Sequence, residues 1–169
     1  VSTPMDISIT LEAQFGMNWG LWKQSVPLVE ELGYSGLFRS DHIMVGKSEA
    51  DSLELITSLT YVATTTQRLT FGSLVAPLSM HNPVELARQA MSLHDLSDGR
   101  AIFGIGAGWH DPEHVMFGFN LGDKKTRSPK KATLHYLYSR HVHTEIPVAD
   151  LPRAHPPPPV DSPAPPAPL

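Results

Sequence analysis

The stretch LTFGSLVAPLSMHNPVELARQAMSLHDLSDGRAIFGIGAG, residues 69–108, carries the reading of the fold. Leu69–Val75 is a mostly apolar run of strand length. Asn82-Pro83-Val84-Glu85 then supplies an N-cap, a proline at the first helical position and an acid at the third, which marks a helix start. The helical pattern continues to about Leu96 and stops at Ser97-Asp98-Gly99, a turn sequence. Arg100–Ile105 reads as the next strand, and Gly106-Ala107-Gly108-Trp109 follows it. A helix of this length between two strands makes them parallel neighbours joined by a right-handed crossover.

The same unit repeats upstream. Asp6–Gln14 alternates Ile7, Ile9, Leu11 and Ala13 with polar neighbours, the period of a strand. Trp19–Leu32 places Trp22, Val26 and Val29 at helical spacing, with Gly33 as the residue after the helix. Pro27 inside that pattern is expected to kink the helix or shift its start. Gly36–Ser40 is the second strand. Asp51-Ser52-Leu53-Glu54 reads as a capping box opening a helix through about Thr65. Asp111-Pro112 reads as the cap and first residue of a short helix. Four strand–helix units at about 30-residue spacing predict an α/β fold with a parallel sheet. A doubly wound sheet and part of a (β/α)8 barrel both fit, and both put chemistry at the carboxyl ends of strands. The candidate positions are therefore Gln14–Gly16, Ser40-Asp41-His42, Ser73–Pro77 and Gly106–His110.

Composition divides the chain. All 12 glycines, 6 methionines, 6 phenylalanines and 3 tryptophans lie at or before Gly122, while 11 of the 16 prolines follow Asp123. Residues 1–123 carry a net charge of −8 and residues 124–169 one of +4. The expected domains are thus 1–123, globular, and 124–169, a basic then Pro-rich tail that is disordered for want of a packable core. Its prolines suit a peptide-binding partner or a plain disordered end. Its Lys124-Lys125, Arg127, Lys130-Lys131 cluster suits a phosphate or a solvated stretch. No cysteine occurs, which excludes disulfides, thiolate metal sites and a cysteine nucleophile. The net −4 argues against a general nucleic-acid binder. The absence of a long apolar run argues against a membrane span, and a cytoplasmic location is expected.

Few residues have chemistry suited to a site. Asp41-His42 at a strand end can bind a polar ring edge or exchange a proton, or else cap a turn. Gly104-x-Gly106-x-Gly108 departs from the dinucleotide spacing and signals either close approach of a flat ligand or tight packing. His110-Asp111-Pro112-Glu113-His114 matches a zinc-protease string, but a helix starting at Asp111 leaves His110 outside it, so no metal is expected. The tryptophans suit packing, with Trp109 the exception because it follows the glycines at a strand end.

Five segments in series carry a resemblance: Tyr34–His42, Gly72–Pro77, His81-Asn82-Pro83, Leu96–Arg100, and Gly104–Trp109 with Glu113-His114 and Phe117-Gly118. Together they resemble the amino-terminal part of the bacterial luciferase-like flavin-dependent oxidoreductases, nearest the deazaflavin-using branch, over about residues 6–123. The resemblance implies a partial (β/α)8 TIM barrel, about the first four βα units, binding FMN or coenzyme F420 at its strand ends. It implies that Asp41 and His42 border the ring. It places a non-prolyl cis peptide at Ser73–Leu74 and sets Gly106, Ala107, Gly108 and Trp109 beside the same pocket. The implied activity is oxidation of a small organic substrate, as hydride transfer or as monooxygenation. A complete barrel takes typically about 250 residues, so a truncated enzyme is expected. The alternatives are an inactive fragment that pairs through open sheet edges, as in a homodimer, and a sugar- or nucleotide-binding module.

Overall fold

The computed structural model describes residues 5–45 and 52–122, and the expected tail at 124–169 lies outside them. The strands are β1 (Ser8–Leu11), β2 (Gly36–Arg39), β3 (Thr70–Ser73), β4 (Ala76–Pro77) and β5 (Ile105–Gly106). The helices are α1 (Trp19–Glu31), α2 (Leu55–Thr65), α3 (Pro83–Leu96) and α4 (Asp111–Phe117), with a 3-10 turn at Ala13–Phe15. β1, β2 and β3 form a parallel sheet in that order, with Ile9, Leu37 and Phe71 in one row. β4 pairs in parallel with β5. The chain is therefore a mixed α/β fold with parallel strands.

The expected fourth strand, Arg100–Ile105, is regular only at its end. Its first part still hydrogen-bonds β3: Ile102 N–H donates to Phe71 O at 2.8 Å and Gly104 N–H to Ser73 O at 3.0 Å. Glycine makes this approach possible. A Cβ on Gly72 would stand 1.6 Å from Ile102 O, and one on Gly104 would stand 2.5 Å from Ser73 O. The third strand is interrupted where the sequence reads as continuous. Leu74 N–H still donates to Arg39 O of β2 at 2.7 Å, and the chain resumes pairing as β4. The cis peptide is Leu74–Val75, one bond later than the resemblance implies at Ser73–Leu74.

Helix ends follow local chemistry. Asn18 caps α1, accepting from Leu21 N–H at 3.0 Å, and the start is not shifted by Pro27. Pro27 lies on the exposed face, where the carbonyl it cannot serve is free to turn to water. Gly33, at φ 82°, donates to Glu30 O while Tyr34 N–H donates to Val29 O, the paired closure of a helix on a left-handed residue. α3 starts as its sequence predicts, with Asn82 accepting from Val84 and Glu85 N–H. Two starts differ. Glu54, not Asp51, caps α2, because its carboxylate reaches Ile56 and Thr57 N–H at 3.0 and 2.6 Å and the apolar face begins at Leu55. Asp51 lies outside the described residues. Asp111 is the first residue of α4 rather than its cap. Proline is tolerated at the second position as well, since first-turn N–H groups have no helical partner.

The core lies between one row of the sheet and the helices. Trp22, Val26 and Val29 of α1, Leu59 and Val62 of α2, and Leu86 and Leu93 of α3 close over Leu37 and Phe71. Trp22 Nε1–H donates to Ser58 O at 3.0 Å, so its polar atom is satisfied in the interior. Among the described residues no helix is long and apolar enough to cross a membrane. The close strand approach gives a direct test. Gly72→Ala is expected to destabilise the fold by about 3 kcal/mol, the upper end of overpacking costs, because a backbone carbonyl cannot give way. Urea unfolding of the variant beside Asn82→Ala, expected to lose only about 1 kcal/mol, measures it.

Candidate functional site at the strand tips

The carboxyl ends of the strands open on one cavity of about 440 Å³. Each of the four strand-end positions read from the sequence reaches it: Gln14 after β1, Asp41 and His42 after β2, Leu74 and Val75 after β3, and Gly108 and Trp109 after β5. The wall is apolar where Leu74, Val75, Pro77 and Met80 face it and polar at the rim of Gln14, Asp41 and His42. Leu74 is 53% exposed, so its side chain is available to a ligand. Of the eight residues singled out, Asp41, His42, Leu74, Gly108 and Trp109 line the cavity, whereas Ser73, Gly106 and Ala107 do not. Ser73 is buried and its hydroxyl donates to Gly104 O at 2.7 Å.

The glycine run is explained by the chain's own packing. A Cβ on Gly106 would meet Val75 Cγ2 at 2.6 Å, and one on Gly108 would meet Ser79 Oγ at 1.9 Å. Gly108 also has φ 86°. The close approach that these glycines permit is thus met by Val75 before β4 and Ser79 after it, which pack against the fourth strand and the residues after it.

Two carboxylate–imidazole pairs flank the rim. Asp41 Oδ2 lies 2.6 Å from His81 Nε2, and Glu113 Oε2 lies 2.9 Å from His42 Nδ1. The other oxygen of Glu113 accepts from the Ile43 and Met44 N–H groups at 2.5 and 3.0 Å. Glu113 itself is fully buried. His114 Nε2 pairs with Ser79 Oγ and its Nδ1 with His110 O, both at 2.7 Å. The zinc-protease string is therefore split among different partners. Among the described residues no cluster of three His, Asp or Glu could hold a metal ion. Sequence reasoning missed His81 and Glu113 as partners of Asp41 and His42. They lie 40 and 71 residues away, and no local period links them.

The loop that presents Asp41 and His42 is anchored from below. The buried Arg39 guanidinium donates to Ser40 O, Leu53 O, Glu54 O and Ser58 Oγ, at 2.6 to 3.2 Å. Ser40 Oγ donates to Gln14 Oε1 at 2.6 Å, and Ser52 Oγ donates to the His42 carbonyl at 2.6 Å. The Arg39 pKa is drawn down by burial and supported by the charges of Asp41 and Glu54. Burial would raise the Glu54 pKa. The hydroxyl and N–H of Thr57, the N–H of Ile56 and the Arg39 charge outweigh that effect and hold it below the ordinary carboxylate value.

Comparison with known proteins places these features in context. The family model for luciferase-like monooxygenases matches residues 6–130. A 4-hydroxyprotoasukamycin monooxygenase of Streptomyces nodosus subsp. asukaensis is 28% identical over 110 residues, 64% of this chain and 29% of that protein. An F420-dependent secondary alcohol dehydrogenase, solved with an F420–acetone adduct, superposes with a TM-score of 0.69 at 15% identity, covering 90% of this chain and 46% of that one. The oxygenating constituent of 3,6-diketocamphane monooxygenase from a Pseudomonas putida plasmid, a type II Baeyer–Villiger enzyme solved with FMN, gives 0.65 at 16%, covering 80% and 39%. The chain spans under a third of the curated relative and under half of either solved chain.

The Glu54 anchor predicts an acid sensitivity. Its folded pKa is lowered, so its contribution is complete above the ordinary carboxylate pKa and is lost as pH falls through the folded value. Urea midpoints between pH 7 and 3 are expected to fall less steeply in Glu54→Gln than in the parent, from a lower value at neutral pH.

Proposed function

The chain belongs to the luciferase-like monooxygenase family, and from that premise we propose that it contributes the first four βα units of a (β/α)8 flavin- or deazaflavin-dependent oxidoreductase acting on a small organic substrate in the cytoplasm. The observation that carries the reading is the convergence of four strand tips on one cavity with an apolar wall and a polar rim. A cavity of about 440 Å³ lies within the usual range for a small-molecule site.

The residues fit FMN or coenzyme F420 at the ring. Leu74 and Val75 would back it, Trp109 and Gly108 would flank it, and Gln14, Asp41 and His42 would meet its polar edge or the substrate. No Lys or Arg lines the described cavity, so the anionic tail of either cofactor would take its cations from elsewhere. When bound, such a ring supplies two-electron redox chemistry, as hydride transfer or, for reduced FMN, oxygen activation. The chain's own part is to orient the ring, keep water from the apolar wall and accept a proton at the rim, a task an unprotonated imidazole nitrogen suits.

Fluorescence titration of the folded protein with FMN and with F420 tests this. A saturable change with one of them is expected, weakened in Leu74→Asp, and no saturable change with either overturns the reading.

One observation favours a second reading, an inactive chain that pairs with a second copy of itself. β1 has a neighbour on one side only among the described residues, and Leu21 and Leu28 of α1 and Leu32 after it are each about half exposed or more. Ile102, Val115, Met116 and Phe117 are exposed in the fourth unit. Sedimentation velocity is then expected to give a dimer that binds neither cofactor, and a monomer removes this alternative.

A further inference from the structure

Glu113 is the most completely buried acid near the cavity, and all its described partners belong to the loop after β2. Oε1 accepts two backbone N–H groups, from Ile43 and Met44. A backbone N–H can only donate, so this oxygen is committed as an acceptor. Oε2 faces His42 Nδ1 at 2.9 Å. With Oε1 committed to two backbone N–H groups and no hydrogen on Oε2, the hydrogen of this contact comes from the ring, on Nδ1. The ring is fixed further by Ser52 on the His42 carbonyl and by the edges of Trp109 and His110, with centroids at 5.8 and 6.2 Å. Nε2 has no hydrogen-bond partner among the described residues, and His42 lines the cavity.

We propose that Glu113 is a positioning residue: it locks His42 in the Nδ1–H form and leaves Nε2 as a bare proton acceptor at the rim of the strand-tip cavity. The ligand group that meets this edge is accordingly an O–H or N–H donor, and a ligand with only acceptors there is disfavoured. The nature of the ligand rests on the redox reading above, whereas the tautomer does not.

The geometry makes a sharp prediction for Glu113→Gln. The Ile43 and Met44 N–H groups keep an oxygen as their partner, so the amide oxygen takes the place of Oε1. The amide NH2 then faces Nδ1, which becomes an acceptor, and the hydrogen moves to Nε2. The two-bond proton–nitrogen spectrum of the full chain with 15N-labelled histidine reads this directly at a pH where the ring is neutral. The His42 signals are assigned by their loss in His42→Gln. The parent is expected to show a protonated Nδ1 and a bare Nε2, and Glu113→Gln the reverse. A bare Nδ1 in the parent overturns the proposal, and that measurement needs no variant to fold. An unchanged tautomer in folded Glu113→Gln overturns it as well. If FMN and F420 both fail to bind while the parent shows a bare Nε2, the redox reading falls and the assignment of Glu113 stands. Where the loaded protein turns over a substrate, Glu113→Gln is expected to lower kcat about 100-fold with little change in KM, and an unchanged kcat overturns the role given to Nε2.

Discussion

Close backbone approach at the third and fourth strands is the constraint on which the rest of the structure depends. Gly72 and Gly104 let two strands touch without side chains between them, and the distances leave no room for a Cβ at either position. Beside that contact lie the pairing of β4 with β5 and the outward turn of Leu74. Gly106 and Gly108 extend the same contact to the strand tips, where Val75 and Ser79 press on them. The apolar wall of the cavity is thus a by-product of how tightly the strands below it pack.

Buried polar side chains do the complementary work of holding loops. Arg39 gathers carbonyls from both ends of the loop between β2 and α2. The half-buried Arg100 ties the end of α2, the start of the third strand and the end of α3 together, donating to Ala63 O, Leu69 O and Ser97 O and lying over the Phe71 ring. Glu113 closes the set from the opposite side by accepting from the loop that Arg39 anchors. Each such group would be costly in the interior without partners, and the satisfied networks leave the loops few alternative conformations. The rim residues Asp41 and His42 are therefore carried on a supported loop, as a proton-handling or ring-binding edge requires.

Much of this was legible along the chain. The order of strands and helices, the Asn82-Pro83 start, the Gly33 stop and the four strand-end positions follow from local rules of period, capping and turn chemistry. The family resemblance likewise lay in short contiguous motifs. Expectation and structure part at three places. The cap of α2 moves to Glu54 through local bonds to Ile56 and Thr57, the cis bond lies at Leu74–Val75, and the glycine run serves the chain's own tertiary packing.

The sequence by itself determined the α/β class, the parallel crossovers and the fact that Asp41, His42 and Trp109 sit at strand ends. These depend on spacing within one unit, which the order of residues encodes directly. Only the tertiary structure decided which groups face one another across units: Asp41 with His81, His42 with Glu113, Gly108 with Ser79. Such pairings depend on strand register and on the depth to which one segment packs on the next, and no period along the chain carries that information.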